Sequence, residues 1–179
     1  MANKSTISDF KLAVQRNRGF AKANRFAVEI TNMPGLSTEG ARDLSFMCES
    51  VSIPGKQITT LDYDNGTRRP FKIPTGVLDD DVAITFNLTN NYFVKQAFDT
   101  WLNTIIDQQY LLNYIDKYVR EVIISQLDED DNEIYSVKLE NAYPFQVAAI
   151  ELANASTDTI STVTVTFACD RVVTNFLNK

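Results

Sequence analysis

The side chains able to do chemistry in this 179-residue chain are two acidic clusters, two thiols and one basic segment, and histidine is absent. Without histidine the commonest general base and the commonest neutral metal ligand are both missing, so catalysis would have to run on carboxylates, lysine or tyrosine. Asp128, Asp130 and Asn132 stand at the first, third and fifth positions of a calcium-loop spacing. Glu133 then occupies the position that needs glycine for the sharp turn, and Leu139 the position of the bidentate glutamate, so the segment, with Asp131, reads as a solvated hairpin tip. Asp79, Asp80 and Asp81 also offer oxygens, but consecutive residues entering a strand point in alternate directions and do not converge. A glycine-rich phosphate cradle, a nucleophile elbow and a paired-cysteine metal spacing are all lacking, so neither an enzyme nor a cofactor is expected.

Cys48 and Cys169 lie in apolar-alternating stretches, where a thiol behaves as a small hydrophobe. Free, buried thiols are the expectation for a chain folded in a reducing cytoplasm; sequence alone leaves a disulfide open. That compartment follows from the start of the chain, which lacks a basic-then-apolar signal pattern, and from the lack of any apolar run near the ~20 residues of a membrane-spanning helix.

Charge is unevenly spread. Lys4, Lys11, Arg16, Arg18, Lys22 and Arg25 against the single acid Asp9 give residues 1–25 a charge of +5, which leaves −11 on the rest of a chain whose net charge is −6. A basic arm thus precedes an acidic body. The arm lacks the interleaved aromatics of a nucleic-acid interface, and the body repels phosphate. Two readings follow, a solvated terminus or an arm that docks on an acidic neighbouring copy.

These residues must be positioned by a mostly β framework. Valine, isoleucine, threonine and aromatics are abundant, 44% of residues are hydrophobic, and glycine and proline number only 6 and 5, enough for one core with no dividing linker. Phe26, Val28 and Ile30 alternate with polar or small residues as a half-buried strand; Leu44, Phe46 and Cys48 read as a second one after a loop over 33–41. Residues 58–63 are a third candidate, followed by an Asp64-Asn65-Gly66 turn, and Pro70 and Pro74 confine 69–73 to an edge. Val82, Ile84, Phe86 and Leu88 form the cleanest two-faced strand. Asn90 and Asn91 then precede one amphipathic helix over 92–107, with Phe93, Ala97, Trp101 and Ile105 at four-residue spacing. Aromatics at that period fit a core helix, the other reading being a ligand cavity around Trp101 in a monomeric barrel. Residues 110–119 fit either helix or irregular chain. A hairpin over 119–127 and 134–139, a break at 141–144, a short strand over 147–152 and an alternating strand over 162–170 complete the reading.

Four segments in order carry a resemblance: an aromatic-bracketed strand over 20–30 (FAKANRFAVEI), an alternating strand entering a proline turn over 46–56 (FMCESVSIPGK), a proline-flanked strand feeding an alternating one over 69–88, and the helix around Trp101. Together they resemble the tail tube protein family of contractile-tailed bacteriophages. Asn24 to Ile30 looks like that family's first strand, Phe98 to Trp101 like its Phe-x-x-Trp helix, and Tyr143-Pro144 like its aromatic-proline break. The resemblance implies an antiparallel β-sandwich or partly closed barrel with a flanking helix, a single tube-type domain over 26–179, and hexameric rings stacked into the inner tube of a virion tail. The partners it implies are other copies of the chain, a tail sheath protein, a tape-measure protein, and baseplate and tail terminator proteins. It further implies transient DNA passage without specific binding, assembly in the host cytoplasm and no stable membrane association. A baseplate tube initiator or an injection-device tube would keep the same fold. On this footing the expected lumen face is Thr85, Asn87, Thr162, Thr164 and Thr166, short neutral groups that do not grip phosphate. The expected assembly contacts are Arg16, Arg18, Lys22 and Arg25 against Asp79, Asp80, Asp81, Asp128, Asp130 and Asp131.

Overall fold

The computed structural model describes residues 6–63, 66, 71–106, 110–153 and 159–175. The elements run α1 (Ile7–Arg16), β1 (Phe26–Ile30), α2 (Thr38–Phe46), β2 (Cys48–Val51), β3 (Lys56–Tyr63), β4 (Phe71–Asp79), β5 (Val82–Asn87), α3 (Phe93–Ile105), α4 (Ile115–Tyr118), β6 (Arg120–Leu127), β7 (Glu133–Val147), β8 (Thr162–Ala168) and β9 (Arg171–Asn175). All strand pairing is antiparallel. Seven strands form one sheet in the order β1-β6-β7-β8-β5-β2, with β9 on β7, while β3 and β4 form a separate two-stranded ribbon.

The long strand β7 holds the architecture together. Its first part pairs with β6 and β9, and from Tyr143 onward it pairs with β8. The partners change at Asn141, which adopts a positive φ of 54° and donates its side-chain amide to Asp170. Alternate residues of both halves, among them Val122, Ile124, Val137 and Leu139 on one side and Ile84, Phe86, Val165 and Phe167 on the other, enter a single core. The two ends of the sheet, β1 and β2, approach without pairing. α2 sits beside β1, with the Ser45 hydroxyl donating to the Val28 carbonyl at 2.6 Å, so the barrel is partly closed and its gap is bridged by a helix.

α3 covers one mouth of this core. Trp101 is fully buried, and its ring and that of Phe98 pack against Phe167 with centroids 5.9 and 6.0 Å away, while Phe98 also lies 5.2 Å from Phe86. The indole N–H donates to the Tyr118 carbonyl at 2.7 Å, so the one polar atom of the side chain is satisfied. Rings fill this space, and the reading of Trp101 as a cavity wall loses its motive.

Several sequence expectations are corrected. The alternation Leu44-Phe46-Cys48 does not form a strand: Ser37 caps a helix by accepting the Gly40 N–H, only Leu44 is buried, and the strand begins at Cys48. Three alternating residues are too few to separate the two periods. The sequence predicts one helix, and the described residues form four, α1 among them inside the basic arm. A capping box explains α1: Thr6 Oγ1 accepts the Asp9 N–H, and the Asp9 carboxylate accepts the Thr6 N–H, which holds that carboxyl below its ordinary pKa.

The expected break at 141–144 is instead the middle of β7. Pro144 is tolerated because the β7–β8 register shifts between Pro144 and Gln146, so its missing N–H breaks no regular rung. β7 ends at Val147, so the short strand expected over 147–152 is absent, and β9 was not anticipated. The first strand spans Phe26–Ile30 and not the whole of 20–30. The turn residues Asp64 and Asn65, the edge residues Arg69 and Pro70, and the expected helix end at Asp107 lie outside the described residues.

Candidate assembly surfaces

The neutral residues expected on one face are brought together by register. β5 and β8 pair so that Thr85 lies opposite Thr164, Asn87 opposite Thr162, and Ala83 opposite Thr166. The Thr85 and Thr164 hydroxyls are 3.0 Å apart, a cross-strand hydrogen bond. The alternate residues Val82, Ile84, Phe86, Val163, Val165 and Phe167 fill the core, which turns Thr85, Asn87, Thr162, Thr164 and Thr166 onto the opposite face. Ser50 of β2 extends that face beside Thr85, and none of these residues is charged.

The basic arm and the acidic tip meet within one chain. Lys22 pairs with Glu129 at 2.6 Å and Arg25 with Asp131 at 2.5 Å. Gln126 reinforces the joint by donating to the carbonyls of Lys22 and Arg25 at 2.8 and 2.7 Å, and the Leu127 N–H donates to the Arg25 carbonyl. The Glu129 carboxyl is held below its ordinary value, first by the hydrogen bond from Lys22 and then by that ammonium's charge. Two of the four cations expected to reach a neighbour are therefore committed inside the chain. Lys11, Arg16 and Arg18 make no ion pair among the described residues.

The calcium-like spacing serves the turn itself. Asp128 Oδ1 accepts the N–H groups of Asp130 and Asn132, each at 2.8 Å, which closes the tip on its own backbone. Among the described residues no cluster of three carboxylates or thiols is arranged to hold a metal. The other acidic cluster splits by role: Asp79 Oδ2 accepts the Val172 N–H at 3.2 Å, whereas Asp81 is exposed. Cys48 and Cys169 are free and half-buried; desolvation pushes the Cys48 thiol up to about 11 and raises that of Cys169 as well.

One surface escaped the sequence reading. The β3–β4 ribbon is exposed along almost its whole length, and it carries apolar residues on both faces: Ile58 opposite Val77, Leu61 opposite Ile73, and Tyr63 opposite Phe71 with the rings tilted and their centroids 5.3 Å apart. Ile58, Leu61 and Val77 are 61%, 60% and 64% exposed. The signal was present, since Ile58 and Leu61 differ in strand parity and a strand apolar on both faces needs cover on both.

Comparison with known proteins agrees with this architecture. The family described as "Phage tail tube protein" matches residues 10–175. A curated tail tube protein of Serratia phage KSP90 is 26% identical over 172 residues, 93% of each chain. Among solved structures, a chain of the sheath-tube complex of an extracellular contractile injection system (PVC, extended state) superposes with TM-score 0.66 at 19% identity, covering 97% of this chain and 100% of that one. A chain of the tube-terminating cap of the anti-feeding prophage gives TM-score 0.65 at 19% identity, covering 88% and 91%. These two share the fold. With the family match running from α1 to β9, the chain belongs to the phage tail tube protein family and is a structural, non-enzymatic constituent of the virion tail.

Proposed function

We propose that six copies of this chain close into a ring, that rings stack into the inner tube of a contractile tail, and that the tube conducts DNA. The observation that carries the reading is the charge-free face of Thr85, Asn87, Thr162, Thr164 and Thr166 on a body that is otherwise acidic. A conduit must not bind its cargo. Hydroxyls and an amide offer phosphate no cation, and the acidic surround repels it, so DNA meets little affinity along the wall. β1 and β2, each paired on one side only among the described residues, fit ring closure, because a sheet left incomplete in one copy is extended by the next. The apolar β3–β4 ribbon fits the same reading as a limb covered by another copy.

The contractile setting, and the partners sheath, tail terminator and baseplate protein, are supported by the fold shared with chains of a sheath-tube complex, a sheath/tube terminator and a baseplate. A tape-measure protein inside the tube and assembly in the host cytoplasm complete the proposal. Electron microscopy of the purified protein over a range of concentrations tests it. Six-fold rings or tubes with the threonine face toward the lumen are expected; a monomer that persists at high concentration without filaments overturns it.

A further inference from the structure

α1 carries an apolar stripe that the described residues leave largely exposed. Ile7, Phe10 and Val14 recur at helical spacing, yet the helix buries no residue; Ile7 and Phe10 are 77% and 61% exposed. Phe20 folds back to within 6.3 Å of the Phe10 ring and widens the stripe, itself 73% exposed. The helix does not hang from a loose tether. Its connection to the body is fixed at Lys22 and Arg25 on the β6–β7 tip by two ion pairs and the Gln126 bonds. A short basic helix with an apolar face, held out from a fixed mount, is a presented surface.

A complementary surface lies at the other end of β7. Leu102, Ile105 and Ile106 at the end of α3, with Tyr110, Tyr143 and Phe145, line an open groove of about 640 Å³, and none of its lining residues among those described is charged. Leu111 and Leu112 continue its rim and are 62% and 75% exposed. The mount of α1 is beside Glu133, the first residue of β7, whereas the groove is formed by Tyr143 and Phe145 near its last. Ten or more residues of strand separate them, up to ~35 Å at the ordinary rise per residue. One copy therefore presents the helix at one end and the groove at the other.

We infer that α1 of one copy docks by Ile7, Phe10 and Val14 into the α3–β7 groove of a second copy of this chain, joining successive copies head to tail. The inference rests on the tube reading and names the contact that carries stacking. Surfaces at opposite ends of one molecule satisfy each other only in a heterologous pair, which repeats from copy to copy and, where the rotation between copies does not close it into a ring, runs on as a filament. Charge favours the same occupant: Lys11 and Arg16 against Asp9, with Arg18 just past its end, leave the helix basic, the described lining of the groove offers no cation to repel it, and the body of the next copy is acidic.

The test uses the full chain carrying Phe10→Asp, beside Phe145→Asp on the groove, with the wild-type protein as reference. Each substitution should raise the concentration needed for tube growth by ~10-fold or more while leaving the thermal midpoint of the unassembled protein unchanged, since Phe10 touches no core residue. Mixing Phe10→Cys with Phe145→Cys protein should then give a disulfide-linked dimer that neither variant gives alone. Wild-type tubes with normal growth of Phe10→Asp overturn the docking and leave the tube reading standing; failure of the wild type to form rings or tubes overturns the tube reading instead. Sedimentation of wild-type protein with phosphatidylglycerol vesicles, lost in Phe10→Asp while tube growth is untouched, would also overturn the docking and assign α1 to a membrane surface.

Discussion

Lys56 and Asp79, paired across the base of the β3–β4 ribbon, hold the two backbone groups of a single residue on another strand. Lys56 Nζ donates to the Val172 carbonyl at 3.1 Å, and Asp79 Oδ2 accepts the Val172 N–H at 3.2 Å. Val172 pairs with Leu139 on its inner side, so the two side chains supply on its outer side what a neighbouring strand would. An exposed ribbon is thereby mounted on the body at a set angle. The second Asp79 oxygen, Oδ1, is buried without a partner among the described residues, a cost that this grip must offset.

Asp79→Ala should remove about 1–2 kcal/mol of stability by leaving the Val172 N–H without its acceptor, and Asp79→Asn should cost less because the amide oxygen still accepts. Lys56→Met should resemble the alanine variant more than the asparagine one in ribbon mobility. Thermal melts give the stability, and amide exchange across β3 and β4 reads the mobility; identical exchange in all four proteins would show that the ribbon needs no mount.

Trp101→Ala should destabilise the unassembled protein by roughly 3–5 kcal/mol, because a fully buried indole packed on Phe98 and Phe167 leaves a cavity that rigid β-strands cannot collapse into. Chemical denaturation with the midpoint followed by far-ultraviolet circular dichroism measures it. A loss below about 1 kcal/mol would mean the core has another centre.

The joint between arm and tip should open in acid. Glu129 is held below its ordinary value of 4.5 in the folded chain, so its contribution is present above that value and lost as the pH falls through the folded one. Protection of the amides of residues 20–25, taken relative to their intrinsic exchange at the same pH, should therefore fall as the pH drops below 4.5, and Lys22→Ala should lower it at neutral pH as well. Protection that does not change with pH in the wild type would assign the joint to the Gln126 and Leu127 bonds.

Salt should act on assembly through the cations left over. Arg16→Glu with Arg18→Glu should weaken tube growth at low salt and flatten its salt dependence, since neither residue has an ion pair among the described residues of its own chain. Each exposed pair is worth at most about 1 kcal/mol, so the effect depends on repetition around a ring. Normal growth of the double variant at every ionic strength would make the arm's charge irrelevant to stacking.

Much of the framework could be read from the chain because the relevant signals are local. Val82-Ile84-Phe86 and Val163-Val165-Phe167 alternate over enough residues to define a buried face, and a period of two then fixes where Thr85 and Thr164 point whatever their partners are. The helix through Trp101 and the acidic tip at Asp128 were legible for the same reason, one from a sustained four-residue spacing and the other from its turn chemistry. Tertiary structure decided what depends on residues distant in sequence. It joined Arg25 to Asp131 across 106 positions, so that a cation and an acid expected to bridge two copies are spent within one. It carried β7 straight through Pro144 by placing a register shift there, and it made a helix of Thr38–Phe46 because a cap at Ser37 and packing beside β1 outweighed a short alternation. Local periodicity determines which face of an element is apolar; only the packed chain determines which faces are already covered and which are left for another molecule.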